Sequence, residues 1–183
     1  NHLERLKRDR PPTAVRAELP ELIERGYEEV PEEDLVRLHW WGIAHDKPKV
    51  GTFMVRIKVP GGRLDAGQLR GLGRIARTHG RDLVELTTRQ GVQLHWVQMP
   101  GLPDVLSEIE QLGLSTSGAE GDTVRNVTSC PVAGLTAHEL FDVRPVVDRV
   151  AEFFDGNPAY ANLPRKHKYT ISACPAQCNA PEI

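Results

Sequence analysis

The sequence predicts an α+β fold, a ferredoxin-like β-α-β-β-α half-domain followed by part of a second α+β module. Three observations carry this. Thr52 to Val59 alternates with period two, so Phe53, Val55, Ile57 and Val59 share one face and Met54, Arg56 and Lys58 the other. Residues 65–78 and 103–112 set apolar side chains at helical spacing: Leu69, Leu72, Ile75 and Ala76, then Val105, Leu106, Ile109 and Leu112. Between them, Leu83 to Thr88 and Val92 to Gln98 flank a Gln90-Gly91 turn and read as a hairpin. Both helices belong on one sheet face. The other face is left to Arg56, Lys58, Glu85, Thr87, Arg89, Gln93 and His95.

The elements follow in order. Residues 1–44 read as an irregular, partly helical arm rich in charge and proline. Short helices fall at Pro20–Arg25, with Pro20 in the first helical position, and at Glu32–Leu38. Trp40 and Trp41 read as packing anchors. The half-domain occupies 45–115; Pro60-Gly61-Gly62 ends its first strand and Gly80 stops its first helix. Residues 116–183 begin the second module. A glycine-rich loop leads to an extended piece, Thr123 to Thr128, that contains Arg125. Thr136, with Glu139 at capping-box spacing, opens a helix running to about Phe154. Gly156-Asn157-Pro158 is a break, and Lys166 to Ala173 is a strand.

The 183 residues are 39% hydrophobic and 26% charged, a globular composition able to support a core. A net charge of −2 argues against a general nucleic-acid binder, so any anion site is local. No run of 18 apolar residues is present to cross a membrane as a helix. Three cysteines, Cys130, Cys174 and Cys178, disfavour a disulfide framework and fit a reducing cytoplasm. The ending Ala180-Pro181-Glu182-Ile183 carries neither helix stop nor polar tail, which reads as a piece of a longer protein.

The densest chemistry lies at Arg165, Lys166 and Lys168. In an extended segment, Lys166 and Lys168 point to the same side. Either they are a solvated basic strand end, or an anion sits between them. Arg56 and Arg125 also lie in or beside extended segments. Unit charges ~4 Å apart interact by ~4 kcal/mol at an effective dielectric near 20, so cations gathered at one point call for a bound dianion. The stretch from Thr87 to His95 is dense in hydrogen-bonding side chains. It is either an exposed hairpin or a surface for a carboxylate-rich ligand. Cys174 and Cys178 have a Cys-x3-Cys spacing, but a complete metal site needs four ligands and Cys130 is the one other cysteine. They read as a structural thiol pair, and no residue is assigned as a metal ligand.

Four segments together resemble the siroheme-dependent nitrite and sulfite reductase family. They are Gly51–Arg56 running into Pro60–Gly62, Leu86–His95, Val124–Thr128 and Asn162–Lys168, in the family's order. The likeness covers about residues 36–183 and is to the N-terminal half of such an enzyme. It implies siroheme beside a [4Fe–4S] cluster, and six-electron reduction of sulfite to sulfide or nitrite to ammonia. The implied electron donor is ferredoxin or a flavoprotein. It implies that Arg56, Arg125, Lys166 and Lys168 bind the substrate anion and help deliver protons, and that Thr87, Thr88, Arg89, Gln93 and His95 hold siroheme carboxylates. Thr88 rests on the resemblance alone, because strand parity puts it on the opposite face. The family's cluster cysteines belong to a C-terminal half that this chain lacks. The chain alone is therefore expected to complete neither cofactor and to be inactive. Lysine at 168 leans towards sulfite, since plant-type nitrite reductases often carry asparagine there. Two other readings are a ferredoxin-like RNA-binding module, which the absence of stacking rings on the polar face disfavours, and a metal scaffold built on the cysteines.

Overall fold

The computed structural model describes residues 2–180, so the last three residues of the ending noted above lie outside it. Helices α1 (His2–Asp9), α2 (Val15–Arg25) and α3 (Glu32–Arg37) open the chain. The arm is more regular than its composition predicts. Pro20 lies inside α2 instead of opening it. A 3-10 turn at Pro12–Ala14 feeds the helix from Val15 onward. Burial of Val15, Leu19 and Leu22 along one stripe offsets the hydrogen bond that Pro20 cannot donate. Arg37 is buried and paired: Nη1 donates to Asp34 Oδ1 at 2.8 Å and Nη2 to Glu18 Oε1 at 2.7 Å, while its buried Nε has no partner.

The half-domain contains β1 (Ile43–His45), β2 (Thr52–Ile57), α4 (Ala66–His79), β3 (Val84–Leu86), β4 (Val92–Gln98) and α5 (Leu102–Gln111). The antiparallel sheet runs β1-β2-β4-β3. The observed order is thus β-β-α-β-β-α. The expected unit gains an edge strand, β1, whose three residues are too short to show a period. An Asp65–Gln68 capping box starts α4. Leu69 is 56% exposed, off the helix stripe that Leu72, Ile75 and Ala76 bury. Arm and half-domain share one core, in which Val15, Leu19, Val30 and Leu38 pack with Val55, Ile57, Leu72 and Val105.

The second module holds β5 (Thr128–Ser129), α6 (Arg144–Phe154) and β6 (Thr170–Ile171), with β5 and β6 parallel. A Val124–His167 bridge extends this pairing towards the basic segment. The strand expected over Lys166 to Ala173 is therefore mostly irregular. The helix expected from Thr136 starts at Arg144, with Pro145 in its first turn. Thr136 and Glu139 instead accept the backbone N–H groups of His138 and Gly134, which fixes a loop. Val127, Cys130, Val143, Val147 and Ala173 form a second small core.

Trp40 joins the modules. It is 2% exposed, its Nε1 donates to Ala161 O at 2.7 Å, and its carbonyl accepts from Gly118 N at 2.8 Å. Trp40→Ala should lower the unfolding free energy by ~3–5 kcal/mol in urea titrations. Leu69→Ala should change it by no more than ~0.5 kcal/mol, because that side chain is already largely in solvent.

Candidate functional site

Arg56 is aimed by the backbone around it. Gly42, at φ +72°, ends the 3-10 turn before β1, and its carbonyl accepts from Arg56 N at 2.8 Å. A Cβ at Gly42 would lie 2.5 Å from the Arg56 carbonyl, so only glycine lets the two backbones approach this closely. The Arg56 guanidinium then has two partners: Nε donates to Glu120 Oε1 at 3.0 Å and Nη1 to Gln93 Oε1 at 3.3 Å. Gln93 faces Arg56 across the β2–β4 register.

The hairpin tip is tied to the second module. Asn126 Nδ2 donates to Val59 O at 2.9 Å and Arg89 O at 2.8 Å. Arg89 Nη2 returns bonds to Asn126 O at 2.7 Å and Tyr169 O at 3.1 Å. Gln90 exchanges two further bonds with the Ser129 backbone. Arg125 is oriented by the loop before it, donating to Ala119 O at 2.9 Å and, through Nη2, to Gly121 O at 3.0 Å. Arg125 N donates to His167 O, which sets the lysine segment alongside.

These ties bring Arg56, Lys58, Arg89, Arg125, Lys166 and Lys168 around a cavity of about 300 Å³, together with Thr87 and Glu120. All four proposed anion-binding cations line it, as do Thr87 and Arg89. The remaining three expected cofactor contacts do not. Gln93 lies one shell behind, on Arg56. Thr88 is exposed at the hairpin turn. His95 sits at a β-bulge, where Val55 pairs with Leu94 but Phe53 pairs with Val97. Its Nδ1 lies 2.6 Å from Asp46 Oδ1, while Asp46 Oδ2 accepts from Trp96 N, a residue at φ +60°. His95 thus anchors the bulge. Strand parity cannot show this, because the extra residue breaks the alternation on which parity depends.

Burial pushes the Arg125 guanidinium below its ordinary pKa; Glu120 opposes that and the charge of Arg56 adds to it. Burial alone lowers that of Arg89. The His39 imidazole is lowered by burial, with Glu120 opposing and Arg125 assisting. Glu120, which lines the cavity and pairs with Arg56, is the residue there that sequence patterns missed. It lies in an irregular loop with no periodicity to show where its carboxylate points. Among the described residues, no three His, Cys, Asp or Glu side chains converge to hold a metal ion. The Cys130 and Cys178 sulfurs lie 3.8 Å apart, and burial raises the pKa of the Cys130 thiol.

A ferredoxin-like sheet whose hairpin meets a second α+β segment at a cation-lined cavity defines a two-module α+β protein. The chain belongs to the nitrite and sulfite reductase family: residues 45–112 match the nitrite/sulfite reductase ferredoxin-like half domain, and residues 120–183 the nitrite and sulphite reductase 4Fe-4S domain. It is 35% identical over 180 residues to the assimilatory ferredoxin-dependent nitrite reductase of Haloferax mediterranei, covering 90% of this chain and 31% of that protein. It is 32% identical over 190 residues to a ferredoxin sulfite reductase of Mycobacterium tuberculosis, covering 94% of this chain and 34% of that one. The solved structure of the M. tuberculosis NirA protein superposes with a TM-score of 0.88 at 31% identity, over 94% of this chain and 35% of that chain. The chain thus spans about a third of the length of the relatives it matches.

His39 and His45 are both lowered by burial, so the unfolded chain takes up protons first as pH falls. Their contribution to stability is complete above the ordinary imidazole pKa of about 6.5 and is lost as pH drops through the folded values. The urea midpoint should fall between about pH 7.5 and about pH 5.5, and a His39→Gln, His45→Gln double variant should flatten that dependence.

Proposed function

We propose that this chain supplies the substrate-anion contacts, and part of the siroheme-carboxylate contacts, of an assimilatory reductase that takes sulfite to sulfide or nitrite to ammonia. The carrying observation is that Arg56, from the half-domain, and Arg125, Lys166 and Lys168, from the second module, line one cavity. Six cations against one carboxylate give that cavity a local field opposite in sign to the net charge of the chain.

The residues fit a carboxylate-rich macrocycle. Arg89 Nε, a donor that could meet a carboxylate, is buried without a hydrogen-bond partner beside the cavity. Lys166 and Lys168 are exposed at the rim, and neither is in an ion pair among the described residues. When bound, siroheme supplies electron delivery to the substrate. The chain's own part is to hold the anion through guanidinium forks and compact ammonium groups, and to pass it protons from the lysines. A [4Fe–4S] cluster needs four ligands, so the three cysteines here do not complete one by themselves. Ferredoxin is the electron donor in this reading, as the names of the relatives state for those proteins. Of the two substrates, Lys168 favours sulfite. A cytoplasmic location goes with this chemistry; among the described residues no helix is long and apolar enough to cross a membrane.

The test is steady-state reduction of sulfite and nitrite by the complete, siroheme-loaded protein. Lys166→Met and Lys168→Met should each lower kcat/KM by about 10²–10³-fold while the haem absorption is retained. Unchanged kcat/KM with both lysines replaced would overturn the assignment.

A further inference from the structure

The anion cavity already contains a carboxylate. Glu120 Oε1 accepts from Arg56 Nε at 3.0 Å and lies 2.8 Å from Arg56 Nη2. The Glu120 side chain is 16% exposed and lines the cavity with Arg125, Lys166 and Lys168. Its position is built in. The carbonyls on either side of it, Ala119 O and Gly121 O, hold the Arg125 guanidinium. Its own carbonyl accepts from Thr123 Oγ1 at 3.0 Å. Gly121 takes φ +75° there, and a Cβ on it would lie 2.7 Å from the Trp40 ring, so the turn that presents Glu120 is packed against the anchor of the fold.

A surface ion pair would leave Arg56 free to exchange with solvent. Here the pair stands inside the cavity that the other cations line, so an oxyanion bound at Arg56 lies beside Glu120 as well. We propose that Glu120 is a resident counter-ion of the anion site: it holds Arg56 in position while the site is empty, and it stays in place beside the bound anion. This rests on the reading of the cavity as an anion site. It adds a selectivity. Coulomb repulsion from one fixed carboxylate scales with the charge of the ligand, so Glu120 weakens a dianion about twice as much, in free energy, as a monoanion. It reduces the preference of the cationic cavity for divalent over monovalent oxyanions.

The test is isothermal titration of nitrite, a monoanion, and sulfate, a dianion, into the complete protein at fixed ionic strength, comparing wild type with Glu120→Gln and Arg56→Met. Glu120→Gln should tighten nitrite about tenfold and sulfate about a hundredfold, a doubled free-energy change. Equal tightening of both anions, no change, or weakening would overturn the counter-ion role. Arg56→Met separates the two levels. If it weakens both anions while Glu120→Gln does not tighten them, the cavity stands as an anion site and the counter-ion inference fails. If neither variant changes either affinity, the anion-site reading fails as well. Glu120→Ala, read in the same titrations, carries the test should Glu120→Gln melt early.

Discussion

The reciprocal hydrogen bonding between the β3–β4 hairpin tip and the strand-like segment of the second module sets the geometry of the cation-lined cavity. Asn126 bonds the carbonyls of Val59 and Arg89 while Arg89 bonds those of Asn126 and Tyr169, and Gln90 clasps Ser129 on both sides. A typical intramolecular hydrogen bond adds only ~1 kcal/mol net, and bonds from a charged donor add more. The larger constraint is the cost of leaving these half-buried groups unmade. The latch therefore locks the separation between Arg56 and Thr87 on one module and Arg125, Lys166 and Lys168 on the other.

That latch creates an electrostatic problem which the surrounding structure solves residue by residue. Six cations around one small cavity repel. Arg125 spends its donors on loop carbonyls, Arg89 on two backbone carbonyls, Lys58 pairs with Asp155 and Arg56 pairs with Glu120. The guanidinium groups are thus oriented before any ligand arrives, the condition under which fixed dipoles and charges stabilise developing charge best. Lys166 and Lys168 are the contrasting case. They stay at the solvated rim on a segment held by backbone bonds in which Arg125 N donates to His167 O and His167 N donates to Thr123 O. The site therefore has a wall of paired arginines and an exposed edge of lysines.

How much of this was legible in the sequence depends on the range of the forces involved. The half-domain was readable because Phe53, Val55 and Ile57, and Leu72, Ile75 and Val105, repeat at the periods that burial on a sheet or helix face imposes. The arm was less so. Pro20 reads as a helix start, yet the packing of Val15, Leu19 and Leu22 against the shared core overrides it. β1 is too short for any period, and α6 starts eight residues past Thr136 because tertiary contacts claim the cap and its partner for a loop. Within the site, strand parity placed Arg56, Thr87 and Arg89 correctly. His95 also lies on the polar face, beside Glu85, but the bulge that follows it ties its Nδ1 to Asp46 and keeps it off the cavity. The contribution of Glu120 lies in a loop conformation fixed by Gly121, Thr123 and Arg125 together, which no local pattern encodes.

The central claim is that cations from two modules act on one anion. The most direct measurement is a double-mutant cycle on sulfite affinity, combining Arg56→Met from the half-domain with Lys168→Met from the second module in the complete protein. Residues sharing one ligand should show a coupling energy of at least ~0.5 kcal/mol, with the double variant losing less than the sum of the singles. Strictly additive losses, or a loss confined to one of the two positions, would contradict a single shared anion site.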